Sequence, residues 1–293
     1  MDSVTHTLFG LALYGAVDKR NLSKPEKRAL LGCALVGSQI PDIDVISAFW
    51  DTEGQYQMWH RGITHSLFLV PVWAVLLSAL SALIFKVKGR FLFGFSMLAV
   101  FIHNTADIFN AWGTGYFEPF SSVRLTFGTT PIVDLVFWLF ILIGFLVVRF
   151  APHKWPSFKV YRVVWLCIVL QVVSQAVQGA VLYDRYKHEY EQLTLVADFI
   201  PTQFVLVGKK GAVVEMKSGD IVRGVRLRET LISQEDADRE LLFRNNKYAQ
   251  TLVEWSPFVV WVEDERRIAV FDPRFYRNGN SFLTEEYLKP KAK

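Results

Sequence analysis

Long apolar runs dominate the first 183 positions of the chain and then stop. Residues 67–85 (LFLVPVWAVLLSALSALIF), 91–109, 132–150 and 160–183 are each long enough, as helices, to cross a hydrocarbon core of about 30 Å. Two shorter stretches precede them. Residues 4–17 (VTHTLFGLALYGAV) are marginal for a crossing, and 29–47 (ALLGCALVGSQIPDIDVIS) runs into Pro41. A proline there breaks or kinks the helix and leaves Asp42 and Asp44 on its irregular end. The pattern predicts a mainly α membrane protein, a bundle of about six membrane helices. After about residue 184 the apolar runs shorten to FVLVG, GAVVEM, FVVWVED and IAVFD, separated by Gly, Asp and basic clusters. That is the pattern of hairpins in a small β-rich domain. The expected division is a membrane-embedded helical domain at 1–183 and an extramembrane β-rich domain at 184–293.

Composition supports the membrane reading. Of 293 residues 52% are hydrophobic, and the mean hydropathy is +0.24, too apolar for an ordinary soluble protein. Cys33 and Cys167 both sit inside apolar runs and read as small buried residues, not as a disulfide or metal partners. No cleavable signal peptide is expected, because Asp2 replaces the usual basic start and D-K-R-N follows the first apolar run.

The pI near 9.0 does not call for direct nucleic-acid binding, because membrane topology explains the basic residues. Of the 14 Lys and Arg in 1–183, twelve fall in the connections 18–28, 86–90 and 149–162. Six crossings would put these three connections on one face, the cytoplasmic one. Only Arg61 and Arg124 fall on the other face, where most of the acids gather. The β-rich domain would then lie outside the cytoplasm. The site histidines played no part in that charge count, yet the same topology gathers them.

His6, Asp42, Asp44, His60, His65, His103 and Asp107 all reach the outer face. Asp and His at the edge of a membrane segment are expensive to desolvate and so mark a functional site by default. Imidazole with carboxylate is also a ligand set for zinc and similar divalent metals. His103 and Asp107 are four apart in H-N-T-A-D, so on a helix both can reach one ion. Each remaining residue has a plainer reading: Asp42, Asp44 and His65 at helix ends, His6 and His60 at the headgroups. His153 and His188 flank basic and polar residues and read as surface histidines. A second polar cluster follows 91–109. In it Asn110, Ser121 and Arg124 could hold an anionic group, with Gly113 and Gly115 allowing a tight turn. The alternative is an aromatic re-entrant loop with Arg124 snorkelling to the headgroups.

The motifs T-H-x-L-x-G, P-D-I-D, H-R-G-x-T-H-S, H-x-x-x-D and the later G-T-x-x-x-x-P-F-S-x-x-R together resemble the YdjM-type family over roughly residues 1–150. These are bacterial and archaeal inner-membrane proteins described as metal-dependent hydrolases, some as LexA-binding. The resemblance implies an integral membrane protein with His6, Asp42, Asp44, His60, His65, His103 and Asp107 as metal-site residues. The motif order also looks like that of zinc-dependent phospholipase C enzymes. This chain has no later H-x-x-x-E pair, so the implied count is one or two ions rather than three.

The resulting expectation is a multi-pass protein of the cytoplasmic membrane. It would be a metal-dependent, phospholipase-like hydrolase acting at the outer face on a lipid or lipid-linked (phospho)ester. A divalent metal, zinc by preference, would sit on His6, Asp42, Asp44, His65, His103 and Asp107. His60 or Asp44 would serve in catalysis, and Arg124 would bind the anionic part of the substrate. The alternative is a non-catalytic membrane regulator or scaffold with a structural metal and a regulatory protein partner.

Overall fold

The computed structural model describes residues 1–151 and 154–290; His153 lies outside them. The chain forms two compact units. The first comprises Met1–Asp44 and Arg61–Ala176, the second Val45–His60 and Val177–Lys293.

Helices make up the first unit: α1 (Ser3–Gly15), α2 (Lys24–Gly37), α4 (Val70–Ile84), α5 (Arg90–Ile108), α6 (Leu135–Phe150) and the first part of α7 (Ser157–Tyr186). The short α3 (Tyr56–Trp59) belongs to the second unit. Side-chain caps set where several helices begin. The Asp2 carboxylate accepts from the Val4 and Thr5 amides, and the Asp134 carboxylate accepts from those of Val136 and Phe137. Ser23 and Glu26 close a capping box at the start of α2. Apolar residues of α1, α2, α4 and α5, among them Leu13, Leu30, Leu77, Phe95 and Val100, form one core. A second joins Phe9 of α1 to Phe137 and Ile141 of α6 and to Val164 and Ile168 of α7. Close approach of α1 to α2 depends on Gly10, where a Cβ would lie 2.6 Å from the Ala34 carbonyl oxygen.

Six membrane helices are not supported. Among the described residues three helices are long and apolar enough to cross: Leu67–Ile84, Arg90–Ile108 and Ser157–Glu189. A fourth crossing is available if α2 and the 3₁₀ segment Ile40–Phe49, bent by 48° against each other, are taken as one broken span. At 1.5 Å per residue, the 13 residues of α1 extend about 20 Å and the 16 of α6 about 24 Å, both short of a core of about 30 Å. Hydropathy counted these runs as crossings because it does not register the caps that shorten them. With three or four crossings, 86–90 and 149–162 fall on opposite faces, so the basic connections do not all share one side.

The second unit carries the sheet region, with α7 entering it at Val177. Strands β1 (Gln192–Ala197), β2 (Phe204–Lys210), β3 (Val213–Asp220) and β4 (Gly224–Ile232) form an antiparallel meander. Two helices follow, α8 (Arg239–Asn245) and α9 (Lys247–Trp255). Next come β5 (Val260–Glu263) and β6 (Arg267–Phe271), a two-stranded ribbon of β7 (Tyr276–Arg277) with β8 (Asn280–Ser281), and β9 (Thr284–Leu288), which pairs with β6. The four sequence runs FVLVG, GAVVEM, FVVWVED and IAVFD fall on β2, β3, β5 and β6. Helices α8 and α9 interrupt a region whose short apolar runs predict strands alone. His188 is exposed, Cys33 is buried against Ser81, and Cys167 is half-buried.

Candidate metal centre

Four side chains from three separate stretches of the first unit meet at one point: Asp42, His65, His103 and Asp107. Asp42 lies on the 3₁₀ segment that continues beyond α2, which ends at Gly37 rather than at Pro41. His65 ends the 3₁₀ turn Ile63–His65 in the loop before α4. His103 and Asp107 share one face of the last turns of α5. One ligand atom from each lies within 4.8 Å of every other. His65 Nε2 is 3.2 Å from His103 Nε2, 3.3 Å from Asp42 Oδ1 and 3.5 Å from Asp107 Oδ2. His103 Nε2 is 3.6 Å from Asp42 Oδ1 and 3.8 Å from Asp107 Oδ2. A tetrahedron of ligands about 2.0–2.1 Å from an ion has edges of about 3.4 Å, so five of the six edges are near that size.

The tautomers inferred from neighbouring groups point both ring nitrogens inward. His103 Nδ1 is 2.7 Å from the Ser38 carbonyl oxygen, which can only accept, so Nδ1 carries the proton. The Thr64 hydroxyl donates to Asp44 Oδ2 at 2.7 Å, which leaves its lone pair and the Asp44 carboxylate to accept from His65 Nδ1, 3.1 and 3.3 Å away. Both Nε2 atoms therefore present lone pairs to each other across 3.2 Å. Two lone pairs and two carboxylates facing one buried point repel unless a cation lies among them. Two carboxylate oxygens there, Asp42 Oδ1 and Asp107 Oδ2, are buried with no hydrogen-bond partner. Asp42, Asp44 and Asp107 oppose Arg61 and the Met1 amino group, a surplus of at least one negative charge. The donor set, its spacing and this surplus all fit one divalent cation.

Surrounding groups hold these donors in place, as outer-shell partners of metal ligands do. Asp44 is buried behind His65 and also accepts from the Arg61 amide at 2.8 Å. His6 is fully buried, stacks on His103 with ring centroids 3.7 Å apart, and brings Nε2 to 3.3 Å from Asp107 Oδ1. The Met1 amino nitrogen also touches that oxygen. His6 and Asp44 thus adjoin the four donors without joining them. His60 is grouped with the second unit, where it stacks on Tyr56.

Arg61 and Asn110 take places beside Asp107 that spacing alone did not assign to them. Arg61 is buried, with its backbone in the left-handed region at φ +57°. Its Nε lies 3.3 Å from Asp107 Oδ2, its Nη1 donates to Asn110 Oδ1 at 3.2 Å, and its Nη2 donates to the Met1 carbonyl at 2.9 Å. Asn110 faces the same carboxylate, with Nδ2 3.4 Å from Asp107 Oδ1. The sequence signal for Arg61 was its place in H-R-G-x-T-H-S, where an arginine is framed by two candidate histidines. The expected anion cradle is engaged elsewhere. Arg124 donates to the carbonyls of Arg61 and Gly113, at 3.4 Å each, and Ser121 Oγ accepts from the Val123 amide. Nearby, burial pushes the Glu118 carboxyl above its ordinary pKa, opposed by the charge of Arg124.

Access differs among the four donors. The side chains of His65, His103 and Asp107 are sealed from solvent, whereas that of Asp42 is 16% exposed. Anything reaching the cluster arrives on the Asp42 side.

Comparison with known proteins locates this unit in a family. A protein of Bacillus subtilis (strain 168), described as "Uncharacterized protein YfhP", is 36% identical over 138 residues, which is 46% of this chain and 42% of that protein. The match thus spans less than half of either chain. No solved structure matches. A family model described as "YdjM inner membrane protein" matches residues 1–180, more than half of the chain and every residue of the cluster. The chain therefore belongs to the YdjM family of inner-membrane proteins.

Proposed function

We propose that the protein is a membrane-bound, metal-dependent hydrolase that acts on a lipid or lipid-linked (phospho)ester, with its site at the extracytoplasmic edge of the membrane. The observation that carries this reading is the convergence of Asp42, His65, His103 and Asp107 on one buried point, with two carboxylate oxygens that accept no hydrogen bond. These four residues would hold the ion, and the imidazole–carboxylate set favours zinc. A divalent ion so held supplies Lewis-acid polarisation of a phosphoryl or acyl oxygen and acidifies water.

The chain's own residues do the rest. Ser38 and Asp44 fix the protons of His103 and His65 on Nδ1 and so aim both rings. His6, Arg61 and Asn110 brace the Asp107 carboxylate, and the sealed walls exclude bulk water everywhere but beside Asp42. Arg61, whose Nε reaches Asp107, would supply positive charge beside an anionic substrate group, and Arg124, which donates to the Arg61 carbonyl, would add to it. A site that opens beside helices able to span a membrane favours a substrate carried by the lipid. Lys86, Lys88 and Arg90 lie at the opposite end of α5 from His103 and Asp107, and this basic cluster favours the extracytoplasmic face for the site.

A structural metal in a non-catalytic regulator is the second reading, favoured by the complete burial of three of the four donors. An assay separates the two. The purified protein in nanodiscs is offered phospholipid and lipid-linked phosphodiester or carboxylic ester substrates, with and without chelator and zinc add-back. Hydrolysis that chelation abolishes, zinc restores and Asp42→Asn lowers at least tenfold supports the enzyme. A zinc-loaded protein that hydrolyses none of these esters overturns it in favour of the structural site.

A further inference from the structure

The four-stranded sheet of the second unit lies outside the region that the family covers. Its two β-hairpin tips end on the same side. The β1–β2 connection (198–203) leaves from the pair Ala197–Phe204, and the β3–β4 connection leaves from Asp220–Gly224, while Phe204 pairs with Gly219 between them. Both tips carry apolar side chains to the outside: Phe199 is 54% exposed, Ile200 64% and Val222 88%. A soluble tip of this kind would ordinarily be polar.

These tips are also held in shape. Asp220 accepts from the Val222 and Arg223 amides at 2.8 and 2.7 Å, and Gln203 Nε2 donates to Asp220 Oδ2 at 2.8 Å, which joins the two turns. Arg277 stacks its guanidinium on Phe199, 5.2 Å from the ring centroid.

Helix α7 leads into this edge. Between Arg162 and Asp184 it runs for 21 residues without a charge, and 21 residues at 1.5 Å each cover about 30 Å, the thickness of a hydrocarbon core. Its outward apolar stripe continues into the second unit through Val177 and Val181. Leu182, at the end of that stretch, is fully buried under the sheet with Leu195, Phe204 and Leu206. Ile221, beside the exposed Val222, packs on the same cluster, and Arg185 Nη1 donates to its carbonyl at 3.5 Å. The hairpin tips are thus fastened to the turns of α7 where the uncharged stretch ends.

We propose that these two tips are a membrane-insertion edge. Phe199, Ile200 and Val222 enter the headgroup–acyl boundary of the bilayer that α7 crosses, and Arg185, Arg223 and Arg277 face its anionic headgroups. Amphipathic elements of this kind bury their apolar side by about 5–10 Å, with basic groups at the phosphates. The sheet is then held down at one end, against the lipid from which the proposed substrate would come. The proposal concerns lipid contact and stands whether or not the metal site is catalytic.

Site-directed fluorescence on the full chain tests it. Single cysteines replace Phe199, Val222 and, at the far end of the sheet, Lys210, in a Cys167→Ser background with Cys33 left buried. Each is labelled with an environment-sensitive nitrobenzoxadiazole dye. The proteins are reconstituted in phosphatidylcholine–phosphatidylglycerol vesicles that contain nitroxide-labelled lipid. All three positions are exposed, so the labels leave the core intact. Dyes at 199 and 222 should emit to the blue of the dye at 210. They should also be quenched several-fold more by the lipid nitroxide and less by aqueous iodide. Equal behaviour at all three positions overturns the proposal. So does a blue shift at 199 and 222 without lipid quenching, which would point to a protein partner or a second copy on that edge.

Discussion

Two buried carboxylates, one in each unit, have opposite surroundings. Asp272 in the second unit is fully enclosed and fully satisfied. It accepts from the Arg274 amide at 2.8 Å, from Arg274 Nη2 at 2.7 Å and from Ser256 Oγ at 2.7 Å, and Trp255 covers the guanidinium. Its charge is matched one for one. Asp107 in the helical unit is equally enclosed, but it keeps an oxygen without a hydrogen-bond partner and belongs to a cluster whose side chains are short of positive charge. A buried charge with all its partners serves the fold. A buried excess of one sign, with ligand atoms that accept no hydrogen bond, is an arrangement that could bind a cation. Burial alone does not separate the two cases; the count of partners does.

Removing a metal ligand should have the largest effect. His103→Ala should take the purified protein from one bound divalent ion per chain to none detectable by elemental analysis. Full stoichiometry in the variant would remove His103 from the ligand set. Breaking the satisfied pair should instead cost stability. Asp272→Ala leaves Arg274 buried without its partner and should destabilise the second unit by about 3–5 kcal/mol. Peptide-resolved hydrogen exchange should place that loss in β5, β6 and α9, with the metal content unchanged. Chelation tests the contrast from the other side. Withdrawing an ion present at a hundredfold excess over its Kd should cost the helical unit about 2.7 kcal/mol, seen as faster exchange in α5 and 63–66 but not in β5 or β6. A smaller change is expected behind the ligands, where Asp44→Asn should weaken metal affinity about 10–100-fold without abolishing binding, as measured by competition with a chelating dye. Surface pairs should matter least. Lys217 of the inner strand β3 lies 2.8 Å from the exposed Glu189, and Lys217→Ala should change unfolding free energy by about 1 kcal/mol or less.

The cluster was legible in sequence because its donors are residue types that apolar helices rarely carry. His103 and Asp107 declare themselves by a spacing of four within an apolar run, and His65 and Asp42 by their places in T-H-S and P-D-I-D. What the sequence hid depends on backbone path. The roles of Ser38 and Asn110 come from a carbonyl and an amide turned inward. That of Arg61 comes from a left-handed residue that bends its loop over Asp107. Asp42 and Asp44 are two apart on a tight 3₁₀ segment, so one faces the cluster and the other backs His65, a division that spacing could not assign. Crossings were overcounted at α1 and α6 because apolar length says nothing of the caps at Asp2 and Asp134. Helix α9 was passed over although Ala249, Leu252 and Trp255 recur every three residues and are buried together, a signal too short to stand out among strands.

The central claim is that one ion is shared by side chains brought together from three separate stretches of the first 107 residues. X-ray absorption at the metal edge of the purified, zinc-loaded protein tests it most directly. The account predicts a zinc shell of two imidazole nitrogens and carboxylate oxygens, with one imidazole lost in His65→Ala and one in His103→Ala. An all-oxygen shell, or a spectrum that neither substitution alters, would contradict it.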